Sequence, residues 1–157
     1  MKAAHPKAVV ALLVAALLGV GSQALAESSK KKGPVRKSAQ YTLFFINNTG
    51  SDITLSRTAS NCMHDAGPSS YTVKNGVPGY FNITDNNNVF DDCTNTWKNV
   101  MWNLSSGGTL QWRHEIEAGS WQTQIQGKVA SAQCDGQNCL VPSYVGNGNT
   151  TPIVITF

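Results

Sequence analysis

Charge is what this sequence has least of: Asp, Glu, Lys and Arg make up 13% of its 157 residues, and His adds only three more titratable side chains. So sparse a charge forms no broad basic surface for a phosphate backbone, and nucleic acid is not an expected partner. Long apolar runs are scarce as well. The one continuous stretch, residues 8–21, is shorter than the roughly 20 residues that cross a bilayer as a helix. No segment sustains a helical period. Neither Cys-x-x-Cys nor His-x-x-x-His occurs, so zinc is not expected, and no metal or other cofactor is implied. The G-x-S-x-G, H-E-x-x-H and catalytic-cysteine contexts are missing too, which leaves no ready nucleophile and points away from an enzyme.

What is present begins with an export signal. Lys2 and Lys7 precede the apolar run, and Ala24-Leu25-Ala26 follows it as a small-x-small cleavage site, so residues 1–26 read as a signal peptide and the product as secreted or periplasmic. Cleavage after Ala26 leaves about 130 residues, enough for one domain around a single core. Residues 27–37 form a basic leader. It carries Lys30, Lys31, Lys32, Arg36 and Lys37 against Glu27 alone, a net of +4, and Gly33-Pro34 keeps it out of helix and strand. The remainder, 38–157, holds five basic and eight acidic residues. A basic leader on a mildly acidic body is a candidate contact for anionic lipid, with a solvated linker as the simpler reading.

All four cysteines, Cys62, Cys93, Cys134 and Cys139, lie beyond the leader, and an even count in an exported chain favours disulfides. Three pairings are open on sequence alone. Cys62–Cys93 with Cys134–Cys139 is the favoured one, because Asp135-Gly136-Gln137-Asn138 brings the ends of a short loop together. From residue 41 onward, short runs of β-branched and aromatic residues alternate with Gly, Asn, Asp and Ser clusters, a pattern of strands and turns. The expected strands are 41–47, 52–57, 70–74, 80–84, 99–104, 109–116, 121–129, 140–145 and 153–157. Asn48-Thr49-Gly50-Ser51 and Asn75-Gly76 read as hairpin turns. The three runs from 99 to 129 read as a meander, with Leu110, Trp112, His114 and Ile116 on one face and Gln111, Arg113, Glu115 and Glu117 on the other. About nine short strands suggest an all-β, antiparallel, disulfide-stabilised β-sandwich.

Chemistry-bearing candidates are few. His114 beside Glu115 and Glu117 is expected inside, pointing away from both carboxylates as strand alternation demands. His64-Asp65 sits in a loop next to Cys62. Asp85-Asn86-Asn87-Asn88 with Asp91-Asp92 gathers the oxygen donors that calcium uses, but lacks an EF-hand's glycine and distal glutamate, so Asx turns are the simpler reading. Four tryptophans, Trp97, Trp102, Trp112 and Trp121, crowd one region. Three are expected in the core, Trp102 and Trp112 as cross-strand neighbours, and Trp97 is the one expected outside.

Phe45-Ile46-Asn47-Asn48-Thr49-Gly50-Ser51, Gly79-Tyr80-Phe81-Asn82-Ile83 and Asn95-Thr96-Trp97 resemble, in content and order, segments of the aegerolysins. That resemblance implies a small β-sandwich that binds membrane lipids. The cleavable signal, the paired cysteines and the chain beyond residue 129 depart from that family's pattern. A secreted, non-enzymatic protein that binds a lipid or membrane surface through Trp97, Tyr80, Lys30, Lys31 and Lys32 is the leading expectation. A protein-binding inhibitor, immunity protein or effector is the first alternative, and a secreted hydrolase the second.

Overall fold

A computed structural model describes residues 37–157. The signal peptide and Lys30, Lys31 and Lys32, with the leader up to Arg36, lie outside the described residues. Twelve strands run in chain order as β1 (Gln40–Ile46), β2 (Ile53–Asn61), β3 (Met63–Asp65), β4 (Ser70–Val73), β5 (Gly79–Asp85), β6 (Lys98–Leu104), β7 (Thr109–Glu117), β8 (Ser120–Gly127), β9 (Ser131–Cys134), β10 (Gln137–Asn138), β11 (Val145–Gly146) and β12 (Ile153–Thr156), with one 3-10 turn at Val89–Asp91. They form two six-stranded sheets, ordered β10-β9-β12-β1-β5-β3 and β11-β8-β7-β6-β2-β4. The all-β sandwich is as expected; the strand count is higher, and one pairing is not antiparallel. β12 lies parallel to β1, Leu43 opposite Ile153 and Phe45 opposite Ile155.

Alternation explains why these residues form strands with a single buried face. Along β1, Tyr41, Leu43 and Phe45 are buried while Thr42, Phe44 and Ile46 face outward. On β7, Leu110, Trp112 and His114 point inward against the polar Gln111, Arg113 and Glu115. The two inward faces meet through aromatic rings: Tyr41 against Trp112 at 4.8 Å between centroids, Phe81 against Trp102 at 5.8 Å and Phe45 against Tyr71 at 5.9 Å. Non-directional burial of such large side chains dominates the stability of the domain.

Both hairpins expected near the start are crossings between sheets instead. β1 pairs with β5 and β12 in the first sheet while β2 pairs with β4 and β6 in the second, so Asn48-Thr49-Gly50 carries the chain from one layer to the other. The same holds at Asn75-Gly76, since β4 and β5 belong to different sheets. Asn47 anchors both crossings: its buried side chain donates to Ser51 O and Val73 O at 2.8 and 3.0 Å, and its carbonyl accepts from Gly76 N at 2.8 Å.

The meander β6-β7-β8 is in place. Trp102 faces Leu110 and Trp112 faces Val100, so the two indoles are diagonal rather than direct partners. Gly127 ends β8 at φ 130°, where a Cβ would lie 2.1 Å from Thr109 O; only glycine fits there. The expected strand at 140–145 is reduced to Val145–Gly146 plus a bridge from Leu140 to Ile125, because Pro142 has no N–H to give a ladder. The Cys134–Cys139 segment is itself a hairpin, Gln137 opposite Cys134, turning on Asp135 (φ 48°) and Gly136 (φ 74°).

Both expected disulfides are formed: Cys62–Cys93 with Cα atoms 5.5 Å apart, and Cys134–Cys139 with 5.7 Å. They suit an oxidising, extracellular-type compartment. Among the described residues no helix is long and apolar enough to cross a membrane.

Candidate functional site

The segment between β5 and β6, residues 86–97, combines a network of polar side chains with the most exposed aromatic side chain among the described residues. Asn86, Asn88 and Asp91 spend their side chains within the loop, on its backbone and on one another, as residues that compete for local hydrogen bonds in turns. Asn86 Oδ1 accepts from Asn88 N at 2.8 Å, and Asn88 Oδ1 accepts from Phe90 N at 3.0 Å, which caps the 3-10 turn. Asp91 Oδ2 accepts from the side-chain amides of Asn86 and Asn88 at 2.8 and 3.1 Å. Thr96 Oγ1 donates to Asp92 O at 2.6 Å, and Thr94 Oγ1 to Asn87 O at 3.3 Å. This is the Asx-turn use of the acidic loop. No group of three or more His, Cys, Asp or Glu residues able to hold a metal ion occurs among the described residues.

Three further anchors hold the loop from below. The Cys62–Cys93 bridge ties it to the end of β2, and Asn86 N donates to Cys62 O at 2.8 Å. The fully buried Lys98 sends its ammonium back into the loop, donating to Cys93 O at 2.8 Å and Thr96 O at 3.0 Å. On the other side Asn87 binds the incoming chain. Its N–H donates to Ser38 Oγ at 3.1 Å and its side-chain amide to Lys37 O at 3.1 Å, while the buried Asp85 carboxylate accepts from Ala39 N. The chain that follows the basic leader therefore enters the domain against this loop.

With Asn86, Asn87 and Thr94 turned inward, the loop displays apolar side chains beside the exposed Asp91, Asp92 and Asn95. Phe90 is 91% exposed, Val89 55% and Trp97 47%. Trp97 stands outside as expected, and its carbonyl is held by Asn61 Nδ2 at 2.7 Å. Phe90 was not among the expected site residues; the signal was there as an apolar pair inside an otherwise polar run. Tyr80, also 63% exposed, lies near the start of β5, on the outer face of the first sheet and away from the loop, which leaves the strand's other end.

The acid-base candidates do not come together. His64 is exposed on the edge strand β3, next to Asp65, whose carboxylate accepts from Gly67 N at 2.8 Å. His114 is fully buried in the second sheet, its ring stacked 4.9 Å from that of Trp121, with Nδ1 2.9 Å from Thr123 Oγ1. Because that hydroxyl donates its proton to Asn147 O, the His114 nitrogen facing it is the N–H donor. Glu115 lies on the opposite face, paired with Arg113 at 2.9 Å. Comparison with protein-family models, with curated proteins and with solved structures gave no match.

Proposed function

We propose that this is a secreted or periplasmic binding protein, not an enzyme, that docks on a lipid membrane surface through the 86–97 loop. The observation that carries this reading is Phe90, almost fully exposed on a loop fixed by a disulfide, a buried ammonium and its own Asx turns. A flexible loop would fold its phenylalanine back; this one is held out. Burying a phenylalanine is worth about 1.5–3 kcal/mol, and Trp97 has the amphipathic ring that favours the headgroup level.

The leader adds a second signal. It carries five basic residues, the last of which, Lys37, has its carbonyl bound by the Asn87 side-chain amide, and each lysine or arginine near an anionic surface contributes about 1 kcal/mol. Asp91 and Asp92 on the loop oppose that attraction, so one apolar tip and one basic segment together give reversible attachment rather than insertion. The resemblance to aegerolysins points to the same class of ligand. A protein partner taken by strand addition is less favoured, because the edge strands β3, β4, β10 and β11 have only two to four residues each and offer short ladders.

Co-sedimentation with phosphatidylcholine vesicles, with and without phosphatidylglycerol, tests the reading. Wild-type protein is expected to pellet with vesicles, Phe90→Asp to lose at least about tenfold in partitioning, and salt to weaken only the part that depends on residues 27–37. Absence of pelleting, or equal pelleting of Phe90→Asp, overturns it.

A further inference from the structure

We propose that the outer face of the first sheet holds a second binding site, for an uncharged saccharide, centred on Phe44. Four residues on four adjacent strands stand in one cross-strand row: Tyr80 on β5 faces Phe44 on β1, Phe44 faces Val154 on β12, and Val154 faces Gln133 on β9. Next to this row the surface dips into a shallow cavity of about 340 Å³, lined by Phe44, Val154, Gln133, Gly136, Thr151 and Pro152. That volume lies at the small end of ligand pockets, roughly 300–1,000 Å³.

The walls are pre-formed. Asp135 Oδ1 accepts from the backbone amides of Thr150 and Thr151, both at 2.8 Å, and so ties the β9–β10 hairpin to the segment leading into β12. The Cys134–Cys139 bridge closes that hairpin behind it. Gly136, at φ 74°, leaves its rim open, since a Cβ there would meet nothing within 4 Å.

The chemistry selects the occupant. No ionisable side chain lines the cavity, so nothing in it attracts a phosphate or a carboxylate, and the one carboxylate beside it accepts at Oδ1 from the amides of Thr150 and Thr151 and from the Thr151 hydroxyl. What lines it for a ligand is the partly exposed ring of Phe44, the amide of the exposed Gln133 and the hydroxyl of Thr151, which donates to Asp135 Oδ1 at 3.5 Å and can accept from a ligand. The electron-rich face of Phe44 suits the C–H face of a pyranose ring, and the two uncharged polar groups suit its hydroxyls. Three strand spacings separate Gln133 from Tyr80, about 14 Å, enough for a chain of rings to run from the cavity to the exposed Tyr80.

The test titrates isotopically labelled protein with maltotriose, cellotriose and chitotriose up to about 20 mM, following amide signals by NMR. At least one trisaccharide is expected to give saturable shifts confined to Gln133, Gly136, Thr151, Val154 and their neighbours. Phe44→Ala should weaken that binding about tenfold and the exposed Gln133→Ala several-fold, while Phe90→Asp leaves it unchanged. No saturable shift with any of the three sugars, shifts elsewhere on the domain, or full affinity in Gln133→Ala and Phe44→Ala overturns the proposal.

Discussion

The Lys98 ammonium lies 4.0 Å from the centroid of the Trp121 ring while donating to the carbonyls of Cys93 and Thr96. One buried cation thus joins the core of the second sheet to the loop that carries Phe90. Its four-carbon stem packs as an apolar side chain and its charge serves as an internal tether.

Lys98→Met keeps the stem and removes the tether. Two carbonyls lose their donor and the ring loses its cation, at about 1–3 kcal/mol for an orphaned buried group and about 1–2 for the cation–π contact. We expect a total loss of about 3 kcal/mol, read as a fall of about 10 °C in melting temperature. Amide exchange should accelerate first in 90–97. A melting point within about 2 °C of wild type contradicts the tether.

The two disulfides should contribute unequally. Cys62 and Cys93 are 31 residues apart, Cys134 and Cys139 only five, and the restriction placed on the unfolded chain grows with loop length. Replacing the first pair by serine is expected to cost about 3–4 kcal/mol, and the second about 2. Urea denaturation of the two variants checks the order, and a larger loss from the short bridge contradicts it.

Ala118 occupies the left-handed region at φ 49° in the turn between β7 and β8, followed by Gly119 at 84°. A side chain there costs about 1–2 kcal/mol relative to glycine, and Asn-Gly is the pair that such a two-residue turn prefers. Ala118→Asn should therefore stabilise the domain by about 0.5–1 kcal/mol, since Ala118 is exposed and no packing is lost. A lower denaturation midpoint would refute this.

How much was legible in the sequence differs from element to element for physical reasons. Strands β6 to β8 announce themselves because one buried face makes Leu110, Trp112 and His114 alternate with polar residues. Asn48-Thr49-Gly50 and Asn75-Gly76 announce a reversal, but turn chemistry is local and does not say whether the returning strand rejoins its own sheet or crosses to the other. The parallel contact of β12 with β1 has no local signal at all. Lys98 was illegible because lysine is so seldom fully buried. Trp97 could be placed outside by its polar neighbours, whereas Phe90 was hidden by the same polarity: it sits in a run whose side chains fold onto their own backbone and leave it exposed.

The lipid-docking claim is tested most directly by tryptophan emission in vesicles with brominated acyl chains. Among the four tryptophans Trp97 alone is exposed, the others being 5% accessible or less, so quenching reports the loop and nothing else. The account predicts quenching of wild-type emission on titration with brominated vesicles, and its loss in Trp97→Phe. Unquenched emission at vesicle concentrations that pellet the protein, or quenching that persists in Trp97→Phe, would contradict it.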